Sequence, residues 1–328
     1  MGEPSRDWKE VEPAHEAERV AALVAQLVEI QRGISAKVGK GRALHRKQLL
    51  GLAASLDVLP NLPAHAAYGV FAQPRSLECL VRMSNGSLHR QSDKTPDIRG
   101  LALKILGVDG PGALGQGNTD AQDFLFINQK AFSTPTGIDF LEFVVAAGRG
   151  NGALLGFMAK KHGLGMFREL KRAAGVFTRP FAGFAHEEFN TVNPLACGPY
   201  AMKLRLVPPS GQALNPDARF NWAQDITARL AQGPLVYSLE AQFFVDETVT
   251  PIEEPRTEWL PEHAPWTPVA RLTLPKQDPA SDAGKATQQR CEAGSFDPWR
   301  ALVEHRPLGN IMRARKQAYF ASQQARKD

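Results

Sequence analysis

Short apolar stretches broken by Gly, Pro, Asn and Ser are what most limit the folds open to this chain. Leu77-Glu-Cys-Leu-Val-Arg-Met83, Arg99-Gly-Leu-Ala-Leu-Lys-Ile-Leu106 and Asp123-Phe-Leu-Phe-Ile-Asn128 have the length and composition of strands. So does Tyr68-Gly-Val-Phe71, after the Pro60-Asn-Leu-Pro63 turn. Strands return at Tyr200–Val207, 235–245 and 269–274. Between the two runs the period changes. Ile138, Phe140, Leu141, Val144 and Val145 open a helical pattern that continues to Arg172, and a second helix is expected at 222–231. Strands in runs with helices set between them imply an α+β fold built on antiparallel pairing, not a regular βαβ alternation. No internal repeat or low-complexity linker divides the 328 residues, so residues 45–328 are expected to form one core. Residues 1–44 hold a loose arm, then an amphipathic helix with Val20, Leu23, Leu27, Ile30 and Ile34 at helical spacing. A mixed stretch runs to Asp57, and residues 276–295, rich in Asp, Ala, Gly and Gln, read as an exposed loop.

Pro307 is expected to open a final helix from Leu308 to Arg326, because its missing N–H has no partner at the first helical position anyway. Leu308, Met312, Arg315, Tyr319, Ser322 and Arg326 lie on one face; Asn310, Arg313, Lys316, Gln317 and Gln324 lie on the solvated one. The first face places a phenol between two guanidiniums. Turned inward, these need an anionic partner, since an unpaired buried charge is prohibitively costly. From this stretch alone two readings stand. Either the helix frays into solvent, or Tyr319 ligates a metal as phenolate while the arginines bind an anionic cofactor.

Composition narrows the function classes. A hydrophobic fraction of 43% and a charged fraction of 22% are ordinary for a globular protein, and the longest apolar runs fall short of a membrane span. Much of the net charge of +5 resides in Lys37, Lys40, Arg42, Arg46 and Lys47 and in Lys160, Lys161, Arg168, Lys171 and Arg172. No aromatic residues interleave with the first cluster, so it reads as a solvated basic face and nucleic acid is not an expected partner. A weak attraction to anionic membrane surfaces is compatible with the charge. Cys79, Cys197 and Cys291 are odd in number and far apart, without metal-type spacing or a disulfide framework. The first residues are charged and show no signal-peptide core, so the cytoplasm is the expected compartment. Gly110-Pro-Gly112-Ala-Leu-Gly115 matches the dinucleotide fingerprint in letters only, because that fingerprint must open a helix and here a loop and a strand follow.

His65 stands where a turn enters a strand; Arg82 and Ser84, two apart on Val81-Arg-Met-Ser84, share a strand face; and Asn128 ends an apolar strand. The succession of His65, Val81-Arg-Met-Ser84 and Asp97-Ile-Arg-Gly-Leu-Ala-Leu-Lys104 resembles the haem catalase core. Asn128-Gln-Lys-Ala-Phe132, continued by Phe140-Leu-Glu-Phe143, is similar to the catalase segment with the distal asparagine. Arg315-Lys-Gln-Ala-Tyr319, with Arg326 beyond it, has the spacing of the proximal helix, and Phe296-Asp-Pro-Trp299 and Glu304-His-Arg-Pro-Leu308 resemble a short catalase-related peroxidase subgroup. The resemblance spans roughly residues 45–328.

The resemblance implies a catalase-like antiparallel β-barrel with inserted and flanking helices, heme b as cofactor, and a peroxide or hydroperoxide as substrate. It makes His65 the distal acid/base and Asn128 the distal amide, with Ser84 fixing the tautomer of His65. Arg82 and Arg326 would pair with the propionates, Phe140 would lie against the macrocycle, and Tyr319 would ligate iron with Arg315 beside its oxygen; tyrosine is the axial ligand of catalases. The implied chemistry is reduction of a peroxide through a ferryl intermediate. Full-length catalases carry an arginine three residues before the distal histidine, where Leu62 stands relative to His65. Their long wrapping and C-terminal portions are absent, which implies access for bulkier hydroperoxides. Allene oxide synthases share the haem ligation but place Thr before the distal histidine; Ala64 cannot hydrogen-bond there, which favours peroxide reduction over hydroperoxide rearrangement. A haem-binding protein with little turnover is the third reading, and a homo-oligomer is compatible with all of them.

Overall fold

Strand alternation closes a barrel. The computed structural model describes residues 2–169, 171, 175 and 179–327. Its strands are β1 Gln48–Val58, β2 Ser76–Asn85, β3 Arg99–Pro111, β4 Asn118–Ile127, β5 Phe189–Asn190, β6 Leu195–Cys197, β7 Tyr200–Val207, β8 Leu235–Phe243 and β9 Trp266–Leu274. All pair antiparallel: β4–β3–β2–β1–β9–β8–β7 in sequence, with β5 joining β4 to β7 and β6 added beside β7. The result is a closed eight-stranded barrel, an α+β catalase-like fold. Leu52, Leu56, Val81, Met83, Leu101, Leu103, Phe124, Phe126, Leu204, Leu239 and Leu272 fill its interior. Because side chains alternate between faces, Arg82, Ser84, Gly100, Ala102 and Leu125 lie on the outer wall.

A helical layer stands off that wall: α1 Glu16–Val38, α2 Gly137–Gly148 and α6 Asn310–Lys327. Val20, Val24 and Leu27 of α1 pack with Leu141, Val144 and Val145 of α2 and Ala314 of α6, the apolar stripe that helical spacing requires. Gly137 lets α2 approach α6 closely, since a Cβ there would fall 2.5 Å from that of Ala314. Further helices among the described residues include α3 Asn151–His162, α4 Trp222–Gln232 and α5 Asp282–Ala293. Leu170 and Arg172 of the expected 138–172 helical stretch lie outside the described residues.

Several expectations change. The mixed stretch before Asp57 contains β1, whose Leu-Leu-Gly-Leu-Ala-Ala run lacks β-branched residues and whose pairing slips between Gln48 and Leu50. Tyr68–Phe71 is not a strand: Gly69 turns left-handed (φ 55°) and opens a 3₁₀ turn. The presumed exposed loop at 276–295 is largely α5, capped by Ser281, with Cys291 buried. The arm is anchored, with Trp8 Nε1 donating to Pro199 O at 2.9 Å. The last helix starts at Asn310, because Pro307 bridges to Leu195, Gly309 takes φ 84° and the Glu253 carboxylate accepts from Asn310 N. Arg313 is not merely solvated: it pairs with Glu10, Glu16 and Glu253. Gly110 and Pro111 end β3, and β4 follows, so no helix opens at that glycine run. No described helix is long and apolar enough to cross a membrane.

Candidate active site

The basic segment between α1 and β1 turns inward. Arg46 is fully buried and its guanidinium gathers the loop by donating to Gly39 O (2.6 Å), Arg42 O (3.1 Å) and Ser35 Oγ (2.9 Å). The loop ends on His45, which has a left-handed backbone (φ 51°), a conformation that costs a non-glycine residue free energy and is held by its surroundings. Those surroundings are β2 and β3. His45 N donates to Gly86 O, and its carbonyl accepts from Arg82 Nη2 at 2.9 Å. Its Nδ1 lies 3.0 Å from Ser84 Oγ. The imidazole lies over Gly100, the partner of Ser84 in the β2–β3 register, where a Cβ would come within 2.6 Å of the ring. Burial, and then the charges of Arg82, Arg315 and Arg42, push the His45 pKa down to about 3. The imidazole is therefore neutral at physiological pH.

Ser84 was expected to meet His65; it meets His45 instead. His65 lies some way along the fold, its ring edge-on to Phe243 (4.6 Å between centroids) and near Tyr200 (5.9 Å). Arg42 stands three residues before His45, the spacing that Leu62 fails to provide before His65.

On α6, Arg315 Nη2 donates to Tyr319 Oη at 2.7 Å, an i,i+4 contact on one helix face. The loop before α6 fixes that face: Trp299 Nε1 donates to Met312 O at 2.8 Å, and Gln323 Nε2 to Asp297 Oδ2 at 2.7 Å. Asp297 N in turn donates to Asp123 on β4, which pairs with Lys104 on β3 at 2.6 Å. Burial pushes the Asp123 pKa up to about 6 against the pull of Lys104.

Three arginines from distant parts of the chain converge beside His45. Arg42 donates to Cys291 O and Gly294 O and pairs with Glu292 at 3.0 Å. Arg82, almost fully buried, also reaches Glu292, at 3.2 Å. Arg326 donates to Ala293 O and Gly294 O at 3.0 and 2.9 Å. Burial, then repulsion from Arg82 and Arg326, pushes the Arg42 pKa down to about 9. Glu292 and Arg42 belong to stretches whose composition suggests an exposed loop and a solvated basic face. Asn128 is buried at the end of β4, one residue beyond the Gly100–Ile127 pair, and its Oδ1 accepts from Arg99 N at 2.8 Å. Phe140 packs into the helical layer, edge-on to Phe132. The structure thus joins Arg82, Ser84, Arg315, Tyr319 and Arg326 around His45 and Arg42, sets Asn128 one residue beyond the outward-facing Ile127 and against Arg99 N, and leaves His65 apart.

The barrel, its outer-wall cluster and the last helix define a catalase-like fold. No protein-family model matches the chain, and no curated protein matches it by sequence. Among solved structures it is similar to a fungal catalase (TM-score 0.67, 14% identity, covering 90% of this chain and 60% of that one). It is likewise similar to catalase A from Saccharomyces cerevisiae (0.67, 13%, 90% and 62%) and to a bacterial catalase (0.65, 15%, 92% and 60%). The chain therefore spans about 60% of the length of these catalases.

Proposed function

We propose that this chain is a haem b-dependent, catalase-like peroxidase acting on hydrogen peroxide or an organic hydroperoxide. The observation that carries the reading is the pairing of two sites: a neutral His45 locked by Ser84 on the barrel wall, and a Tyr319 oxygen bonded to Arg315 on α6. The residues fit the cofactor. A phenol oxygen beside a guanidinium is suited to carry the negative charge of an iron ligand. Arg42, Arg82 and Arg326 form an anion site that already holds a carboxylate, and Arg82 Nε is buried with no hydrogen-bond partner among the described residues. Ala102, Leu125 and Ile127 on the wall stay partly exposed and apolar, as the face of a macrocycle requires.

Haem, when bound, supplies an iron that takes the two oxidising equivalents of a peroxide. Tyr319 would ligate it, the three arginines would hold its propionates, and Phe140 would lie against its ring. With Nδ1 oriented by Ser84, His45 is left with Nε2 for proton transfer: it takes a proton from one peroxide oxygen and returns it to the leaving oxygen. The Asn128 amide would hold the peroxide during that transfer. In this reading the distal role assigned to His65 moves to His45. The arginine missing before His65 is supplied by Arg42. Leu44, like Ala64, has no hydroxyl to place beside the histidine, which keeps peroxide reduction ahead of hydroperoxide rearrangement.

The test is to express the chain with ample haem, record its spectrum and offer three substrates. Oxygen release from hydrogen peroxide alone, or oxidation of a phenolic donor with it, is the expected result. Consumption of a lipid hydroperoxide without a donor would favour rearrangement, and a chain that takes up no haem would overturn the reading.

A further inference from the structure

Glu292 occupies an unusual position for a carboxylate. It sits at the C-terminal end of α5, a helix terminus that is already electronegative and disfavours acidic residues. It is there because Arg42 and Arg82 each donate to its Oε2, and Arg90 Nη2 lies 4.0 Å from its Oε1. These arginines are the site assigned above to a cofactor's carboxylates. Two kinds of contact hold them, and they differ in what can be given up. Backbone carbonyls take most of the hydrogen bonds: Cys291 O and Gly294 O for Arg42, His45 O for Arg82, and Ala293 O and Gly294 O for Arg326. Those contacts fix the guanidiniums whether or not a side-chain anion is present. The Glu292 carboxylate is the replaceable partner, with its side chain 35% exposed while that of Arg82 is 3% exposed.

We propose that Glu292 is an internal latch, a carboxylate that occupies the arginine cluster of the cofactor-free chain and swings into solvent when a dicarboxylate ligand takes its place. Resting on the haem reading, the proposal makes cofactor uptake an exchange of one carboxylate for two. The cluster of Arg42, Arg82 and Arg326 brings three positive charges together in a largely buried place. Glu292 relieves their repulsion until the ligand arrives, and Glu292→Gln removes the competing charge while keeping the size of the side chain and one acceptor oxygen.

Three measurements on the full chain test it. Cofactor-free E292Q is expected to melt a few degrees below the wild type, while glutarate, a small dicarboxylate, raises its melting temperature more than it raises that of the wild type. Haem is expected to bind E292Q about ten-fold more tightly, as loss of a modest competing interaction predicts, whereas haem dimethyl ester binds both proteins equally. Should E292Q fail to fold, carbodiimide labelling of the wild type decides, with Glu292 expected to react more readily once haem is loaded. Equal or weaker haem binding by E292Q, an equal glutarate shift, or labelling that does not rise with haem would each overturn the latch. A wild type that takes up no haem would overturn the haem reading instead, and the melting and glutarate measurements would still decide the latch.

Discussion

Ser84 Oγ and His45 Nδ1 lie 3.0 Å apart although 39 residues separate them in the chain. The contact exists because β1 and β2 pair antiparallel with Gln48 opposite Ser84, which brings the end of the preceding loop over the outer wall of β2. It selects one histidine from the eight in the sequence and sets which ring nitrogen faces the protein.

Replacing the two candidate histidines separates their roles. His45→Ala should lower peroxide turnover by a factor of about 10² to 10⁴, the usual worth of a positioned acid/base, with the haem spectrum retained. His65→Ala should leave turnover within about two-fold, since the ring packs edge-on against Phe243 and Tyr200 instead of meeting Ser84; steady-state oxygen release measures both. A reversed pattern would return the distal role to His65.

On the last helix, Tyr319→Phe should lose the ferric haem spectrum of the wild type. Arg315→Gln should retain haem but shift that spectrum, because the guanidinium that donates to the Tyr319 oxygen is gone. Absorption spectra of the two purified variants check this, and an unchanged Tyr319→Phe spectrum would remove Tyr319 from the iron.

Gly100→Ala is a small change in a crowded place. The added methyl would fall 2.6 Å from the His45 ring, so the imidazole must move. Overpacking of this kind costs about 1–3 kcal/mol of stability, and a displaced acid/base costs about 10² in rate. Urea melts and turnover on the same preparation should show both losses. Gly211→Ala, with nothing within 4 Å of the added carbon but φ 73°, should show some loss of stability from its backbone without the loss of turnover.

Acid should destabilise the fold through His305. Its Nε2 accepts from Val70 N and its Nδ1 faces Ala196 O, so the neutral ring is the one that fits. Burial pushes its pKa down to about 4, while an unfolded chain titrates near 6.5. The unfolded state therefore binds more protons between those values. The stabilisation is complete above about pH 6.5 and declines by at most about 1.4 kcal/mol per pH unit as pH falls toward 4. His305→Gln should be less stable at pH 7 yet lose less between pH 6.5 and 4.5, as read from urea midpoints. Asp123, raised to about 6, pulls the other way, but it is common to both proteins and cancels in the difference.

How the chain divides between legible and hidden follows from what each feature depends on. Strands such as β2, β3 and β7 were legible because their apolar alternation is a local record of one buried face. The Arg315–Tyr319 pair was legible for the same reason: helical geometry alone brings residues four apart together. β1 was not legible, because its pairing with β2 and β9 overrides a composition of Leu, Gly and Ala that has little strand preference. Nor was α5 legible as part of the site, since nothing in a stretch rich in Gln and Ala says that its end will meet three arginines.

By itself, then, the sequence determined the α+β class, the antiparallel character of the strands and the composition of the last helix, all of which are recorded in patterns a few residues long. Only the tertiary structure decided that His45 and not His65 meets Ser84, and that Arg42 and Arg82 share the Glu292 carboxylate while Arg326 donates to the carbonyls beside it. The reason is physical. Barrel closure and the layer of α1, α2 and α6 fix which distant groups become neighbours, and the cost of burying a charge or a strained backbone is met by partners that lie far away in sequence.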